Sequence, residues 1–345
     1  NLPGITLNTQ RLICSKAEKS KELSANNLSE RYASIDIGTN TLRLLIAESN
    51  SRDAYKVVYR DRAVTRLGGK FSEEDGSIDD DAASRTINVL GRFSNSLIKY
   101  KVNNVKAVGT SVIRRARNRV EFLNEVYKKT GLNVDVITGN DEALLTLRGV
   151  LQVIAGNGRY VVMDIGGGST EYILGHDDEE SHAYSIEMGV VSLTEKFILS
   201  DPPTHMEQSR LENKIEAELT DLISKINANQ PDLSFFSGDK GAILVGTAGT
   251  PTTLAAIDQG MEVYKPEMIN SYQLSLDRLK TMYGSLSGLT LMARRKIPSL
   301  EKGREDVILA GILIILKTME LLNFKEMVVS DSGLLEGVML ELIDE

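Results

Sequence analysis

Cysteine is nearly absent. The single Cys14 excludes an internal disulfide and fits a reducing compartment, so a cytoplasmic location is expected. Histidine is scarce too: His176, His182 and His205 are scattered without metal-ligand spacing, which argues against a histidine-bound zinc site. No apolar run approaches the ~20 residues of a membrane span. The best candidate, Val307 to Leu316, is bounded by Asp306 and Lys317 and reads as a buried helix. Positive charge is in deficit. With 40 Lys and Arg against 48 Asp and Glu, the net charge of -8 argues against broad nucleic-acid binding. A polyanion could be held only by basic residues gathered locally.

What is present suits a globular enzyme. The 345 residues are enough for two ordinary domains and two sizeable cores, and apolar (41%) and charged (26%) contents are average. Residues 1–29 are rich in Ser, Asn and Lys with little apolar periodicity, and read as a tail outside the fold. Arg11, Lys16, Lys19 and Lys21 lie around the first acidic residue, Glu18, so a presequence remnant is a second reading of that tail.

The remainder repeats itself. Ala33–Thr41 is an apolar strand, Asp36, a Gly38-Thr-Asn-Thr turn, then a second strand from Leu42. Val161–Thr170 repeats the plan with Asp164, Gly166-Gly-Gly-Ser-Thr and a strand through Tyr172 and Leu174. Each reads as a hairpin with its Asp at the end of the first strand. At similar spacings downstream, Val105–Val108 runs into Gly109-Thr-Ser and Ile243–Val245 into Gly246-Thr-Ala-Gly-Thr. Two matched features in the same order imply a duplicated α/β lobe.

Elsewhere, helical spacing puts Ile87, Leu90, Leu97 and Ile98 on one face, and Leu211, Ile215, Leu219, Leu222 and Ile226 on another. Val134–Thr138 and Met327–Ser330 read as strands, each followed by a helix. The lobes are expected at 30–145 and 146–345.

Three consecutive glycines, Gly166, Gly167 and Gly168, let backbone N–H groups close on an anion, and Ser169 and Thr170 add hydroxyls. Asp164 could hold a hard cation, with Glu171 nearby. Alone, the triple glycine is better explained by a tight hairpin; the flanking Asp164 and Glu171 and the facing Asp36–Thr41 loop make a phosphate clamp the better reading. Arg114, Arg115, Arg117 and Arg119 follow the first Gly-Thr-Ser end, and Arg114 is nearest to it. Glu142 opens a helix, where it could orient water or simply suit a first helical turn.

Seven segments together resemble the exopolyphosphatase/guanosine pentaphosphate phosphohydrolase family. They are Ser34–Thr41, Val108–Arg114, Thr138–Ala143, Val162–Glu171, Val245–Thr250, Arg304–Ala310 and Ser330–Gly337. The resemblance implies an α/β fold of two duplicated actin-like (ribonuclease-H-like) lobes with an interdomain cleft. It implies hydrolysis of polyphosphate or guanosine pentaphosphate with Mg²⁺ or Mn²⁺. Glu142 would be the catalytic base, Glu171 would act near the water or metal, and Asp164 would serve the metal. Asn40, Arg114, Gly166, Gly167, Gly168 and Ser169 would contact phosphate. Asp141 stands where relatives often have a longer acidic residue, a mild departure. The chain resembles the short two-lobe form, which puts long-chain grip in doubt. No membrane and no specific nucleic acid are expected as partners, and a homodimer is left open. The competing classes are an actin- or chaperone-like ATPase and a non-catalytic nucleotide sensor.

Overall fold

A computed structural model describes residues 30–51, 54–71, 76–154, 158–176, 181–229 and 236–345. The tail expected at 1–29 lies outside the described residues. The first lobe runs β1 (Glu30–Ile37), β2 (Thr41–Ser51), β3 (Ala54–Val64), α1 (Asp80–Lys99), β4 (Asn104–Gly109), α2 (Ser111–Arg115), α3 (Arg119–Thr130) and β5 (Val134–Val136). Helix α4 (Gly139–Val150) follows. The second lobe begins with β6 (Arg159–Ile165), β7 (Thr170–His176), β8 (His182–Ile186), α5 (Val190–Phe197) and α6 (His205–Asn229). It continues with β9 (Ile243–Thr247), α7 (Gly249–Asp258), β10 (Tyr272–Ser275), α8 (Leu276–Ser287), α9 (Ile308–Leu321), β11 (Glu326–Val329) and α10 (Leu334–Asp344).

The duplication is exact in strand order. The first sheet is β3-β2-β1-β4-β5 and the second is β8-β7-β6-β9-β11, with β10 added at the edge. In both, the hairpin is antiparallel and the Gly-Thr strand pairs parallel with its first strand. Parallel pairing requires a crossover, so each Asp-bearing strand is buried in mid-sheet with its C-terminal end at one edge of the lobe. That is why both turns meet at a shared cleft.

Helix α9 is buried on nearly every side, as its unbroken apolar run requires, and the five α6 residues of the helical stripe are all buried. No described helix is long and apolar enough to cross a membrane. In α1 the expected face is off by one position. Ile87, Leu90 and Leu97 are buried, but Ile98 is 75% exposed and Phe93 takes the inward position. Each step along a helix rotates about 100°, so Ile98 cannot share Leu97's face while Phe93 and Leu90 set it. Removing the Phe93 ring would cost about 3–5 kcal/mol.

The lobes do not divide simply at residue 145. That position lies inside α4, whose Ala143, Leu147 and Val150 pack on Val162, Ile173 and Val245 of the second sheet. Leu145 instead meets Leu334 and Val338 of α10 beside Val108 of the first sheet. Helix α10 therefore returns to the first lobe, where Leu335, Met339 and Ile343 cover Leu45 and Ala47. The two helices touch backbone to backbone: a Cβ at Gly149 would overlap the Gly333 carbonyl, and one at Gly337 the Leu145 carbonyl.

Candidate active site

Both hairpin turns are closed by the same bond. Gly38 N–H donates to the Thr41 carbonyl at 3.1 Å, and Gly166 N–H to the Ser169 carbonyl at 3.0 Å. The glycine loop is braced from behind, because the N–H groups of Val190 and Val191 bind the carbonyls of Gly166 and Gly167 at 3.1 and 2.9 Å. In a trans peptide the N–H points opposite to the C=O. The Gly167 and Gly168 N–H groups therefore face away from α5, into the cleft that this loop lines. Gly189 makes the brace possible, since a Cβ there would collide with Gly167 and Gly168 backbone. The loops are in contact: a Cβ on Gly168 would stand 2.7 Å from Ser111 Oγ and 2.8 Å from Thr39 Oγ1.

The cleft has a volume of about 530 Å³ and is lined from both lobes, by Asp36 and Thr39–Thr41 on one side and Asp164–Ser169 on the other. Thr39 Oγ1, Asn40 Oδ1 and Ser111 Oγ are buried with no hydrogen-bond partner in the protein. An unsatisfied buried polar atom costs about 1–3 kcal/mol. Three converging on one cleft point to a polar ligand that satisfies them.

Helix α4 delivers Glu142. Thr138 and Asp141 form a reciprocal capping box: Thr138 Oγ1 accepts from Asp141 N–H at 3.1 Å, and Asp141 Oδ2 accepts from Thr138 N–H at 3.2 Å. Asp141 is thus committed to the helix end. Glu142, one residue on, lines the cleft and is 8% exposed. Burial, reinforced by Glu171, pushes the Glu142 carboxyl well above the usual carboxylate range, while Arg114 opposes the shift.

Arg114 and Glu171 stand one step behind the cleft rather than on its surface. The Arg114 guanidinium binds Glu142 Oε2 at 3.1 Å and the Ile137 carbonyl at 2.9 Å. Glu171 is 1% exposed and accepts from Ser185 Oγ at 2.7 Å; burial, then the Asp164 charge, pushes it up to about 7. Asp164 is raised by burial, with Arg43 and the Thr146 hydroxyl opposing; Thr146 Oγ1 donates to its Oδ2 at 3.0 Å. Of the residues expected from sequence, Asn40, Glu142, Asp164, Gly166, Gly167, Gly168 and Ser169 line the cleft.

Two adjacent buried carboxylates that resist ionisation are suitable donors for a small hard cation. Among the described residues no group of three or more His, Cys, Asp or Glu is arranged to hold an ion. Asp164 and Glu171, paired across the β6–β7 ladder, could supply the few protein ligands that a Mg²⁺-type ion takes.

The basic residues of the cleft wall are not those of the 114–119 cluster. They are Arg43, Arg60, Arg62 and Arg304. Arg43 pairs with Asp36 at 2.7 Å, and Arg60 with the buried Glu336 of α10 at 2.7 Å. Their signal was present in part: Arg60 and Arg62 alternate along β3, which puts both on one face. Nothing local to Arg304 indicates which loop it will reach.

Residues 45–345 match the Ppx/GppA phosphatase family. The chain is 32% identical to exopolyphosphatase 2 of Mycobacterium tuberculosis, over 90% of this chain and 98% of that protein. It spans less of two longer relatives. It is 28% identical to the guanosine-5'-triphosphate,3'-diphosphate pyrophosphatase of Aliivibrio fischeri, covering 61% of it. It is 29% identical to a bifunctional 3-dehydroquinate synthase/phosphatase of Fusobacterium nucleatum, covering 46% of it. Among solved structures, the Aquifex aeolicus member of the Ppx/GppA family is 35% identical with a TM-score of 0.73, covering 91% of this chain and 97% of that one. An exopolyphosphatase from Cytophaga hutchinsonii is 30% identical with a TM-score of 0.81, covering 91% and 98%.

Proposed function

Because the chain belongs to the Ppx/GppA phosphatase family, we propose that it removes the terminal phosphoryl group of inorganic polyphosphate, with guanosine pentaphosphate as a second substrate. The observation that carries this reading is Glu142: a buried carboxylate on the cleft surface, backed by Arg114 and facing two anion-binding turns.

In this mechanism the Gly167 and Gly168 N–H groups, with the Thr39, Asn40 and Ser111 side chains, hold the terminal phosphoryl oxygens. Glu142 orients a water in line with the bridging P–O bond and takes its proton as the water oxygen bonds to phosphorus. The bridging bond breaks, orthophosphate forms, and the shortened chain leaves with the negative charge. A bound Mg²⁺ or Mn²⁺, held by Asp164 with Glu171 beside it, would neutralise charge on the phosphoryl oxygens. Arg114 keeps Glu142 aligned and favours its ionised form, the one that can act as a base. Preorganised donors of this kind are the main source of rate in phosphoryl transfer. We place the activity in the cytoplasm, in keeping with the single Cys14.

The deciding assay is phosphate release from polyphosphate, guanosine pentaphosphate and ATP side by side. Release from the first two well above ATP is expected. A clear preference for ATP would favour an actin- or chaperone-like ATPase, and binding without any turnover would favour a nucleotide sensor.

A further inference from the structure

The turn of the first lobe is also braced from behind, by residues 65–68, which follow β3. The Gly68 N–H donates to the Thr39 carbonyl at 2.8 Å, and the Thr65 and Arg66 N–H groups share the Asn40 carbonyl, each at 3.0 Å. Gly68 allows so close an approach, since a Cβ there would stand 2.3 Å from Thr39 Cγ2. With the Thr39 carbonyl turned to this loop, the Asn40 N–H points the other way. It faces the glycine loop, where a Cβ on Gly167 would stand 3.1 Å from Asn40 N.

The brace is itself tied to the second lobe. Arg66 Nη2 donates to Asp306 Oδ1 at 2.6 Å and to the Gly303 carbonyl at 3.1 Å. Beside it, the Lys70 N–H donates to Glu195 of α5 at 3.3 Å, the helix whose first residues hold the glycine loop. Arg66 has a φ of 52°, a left-handed conformation that glycine adopts more readily than any residue with a Cβ. The two side-chain contacts offset that cost. Arg66 and Asp306 both stand outside the cleft lining, so they can act on a ligand only through the turn. Leu67, fully buried, anchors the same loop in the first lobe's core. If that anchor sufficed, Arg66 would be dispensable.

We propose that Arg66 is a positioning residue: by gripping Asp306 and the Gly303 carbonyl of the second lobe, it sets the 65–68 loop and, through that loop, the Thr39–Asn40 turn. The proposal rests on the phosphohydrolase reading, in which this turn holds the terminal phosphoryl group. It makes the aim of the first turn depend on a contact made outside the cleft, with the other lobe.

The test compares wild type with Arg66→Gly, Arg66→Lys, Asp306→Asn and the double variant Arg66→Gly/Asp306→Asn. Glycine suits the left-handed backbone, so the thermal midpoint of Arg66→Gly should stay within about 3 °C of wild type. Its KM for long-chain polyphosphate and its calorimetric Kd for pyrophosphate should each rise about tenfold, the effect of losing one charge-assisted contact. Simple unfolding would instead lower kcat at unchanged KM. Arg66→Lys should recover most of the loss, because a single nitrogen makes both contacts. Asp306→Asn leaves the loop's own sequence intact and should raise the same constants about threefold, a neutral acceptor replacing a charged one. The double variant should be no worse than Arg66→Gly, since both changes break one tie. In Asp306→Asn the Thr65, Arg66 and Gly68 amides should exchange about threefold faster than in wild type. Unchanged KM and Kd in Arg66→Gly, no recovery in Arg66→Lys, additive losses in the double variant or unchanged amide exchange would overturn the proposal. If the wild type turns over no phosphate chain, the phosphohydrolase reading fails, while amide exchange still decides whether the tie sets the loop.

Discussion

Arg43 and Glu171 occupy the same position in the two halves of the molecule, each directly across the ladder from its hairpin's aspartate. In the first lobe Asp36 meets a cation and is neutralised by an ion pair. In the second, Asp164 meets another carboxylate, and both are raised above their ordinary range. One difference within a shared plan gives the second half a buried carboxylate pair where the first half has an ion pair.

Glu142→Gln should lower kcat by roughly 10²–10⁴-fold, the usual contribution of a general base. Substrate Kd and the thermal midpoint should change little, because the amide keeps size and a hydrogen-bonding oxygen. Steady-state kinetics with a thermal melt decides the matter. Normal turnover in the variant would move the assignment to Glu171.

Arg114 lowers the pKa of Glu142, so Arg114→Ala should shift the acidic limb of the kcat profile to higher pH. Arg119, which donates to the Arg114 carbonyl from an exposed position, should leave the profile in place when changed to Ala. Identical profiles for the two variants would remove Arg114 from the catalytic group.

Glu171 should make stability fall as pH rises. Its native pKa is pushed from 4.5 to about 7, so between those values the native state holds a proton that the unfolded chain has released. The stabilisation is full below the lower value and is lost through the upper one. Thermal midpoints recorded from about pH 5 to 8 in the presence of a chelator should therefore decline, and decline less in Glu171→Gln. A slope unchanged by the substitution would contradict the assignment.

Chelation should abolish turnover, and Mg²⁺ or Mn²⁺ should restore it. Thr146→Val removes the hydroxyl that orients Asp164 and should raise the metal concentration for half-maximal rate about tenfold, as loss of a supporting hydrogen bond at a metal site does. Full activity in excess chelator would exclude the metal.

Gly189→Ala should displace the glycine loop, because the atoms nearest its Cβ are Gly167 and Gly168 backbone. KM should rise about tenfold or more, a loss comparable to one good anion contact. Unchanged KM would mean that the loop does not hold substrate.

The sequence made the hairpins legible because an apolar strand, an Asp and a glycine turn are a local pattern, and both copies fold as that pattern requires. Glu142 was placed at a helix start by the local sequence, which an acid in a first helical turn explains equally; only the family resemblance singled it out, and the Thr138–Asp141 box that precedes it on the cleft wall is seen in the fold. What escaped is set by distant packing. Arg114 follows a strand that ends at the cleft, yet its long side chain turns to Glu142 and the Ile137 carbonyl. Arg304 becomes a cleft residue only because residues 301–306 fold onto β3. The return of α10 to the first sheet is equally hidden, since an apolar face does not name the surface it will cover.

The path of α10 has a consequence for how the chain is made. Ser34 Oγ of β1 donates to the carbonyl of Leu335, 301 residues later. While the ribosome is still translating the second lobe, Leu45 and Ala47 lack the Leu335, Met339 and Ile343 side chains that cover them in the finished protein. The first lobe thus waits on a segment synthesised 301 residues after Ser34. Closing so long a loop costs little equilibrium stability but slows assembly. A nascent chain of this design carries an open apolar strip until α10 has emerged, a natural point of attachment for general chaperones.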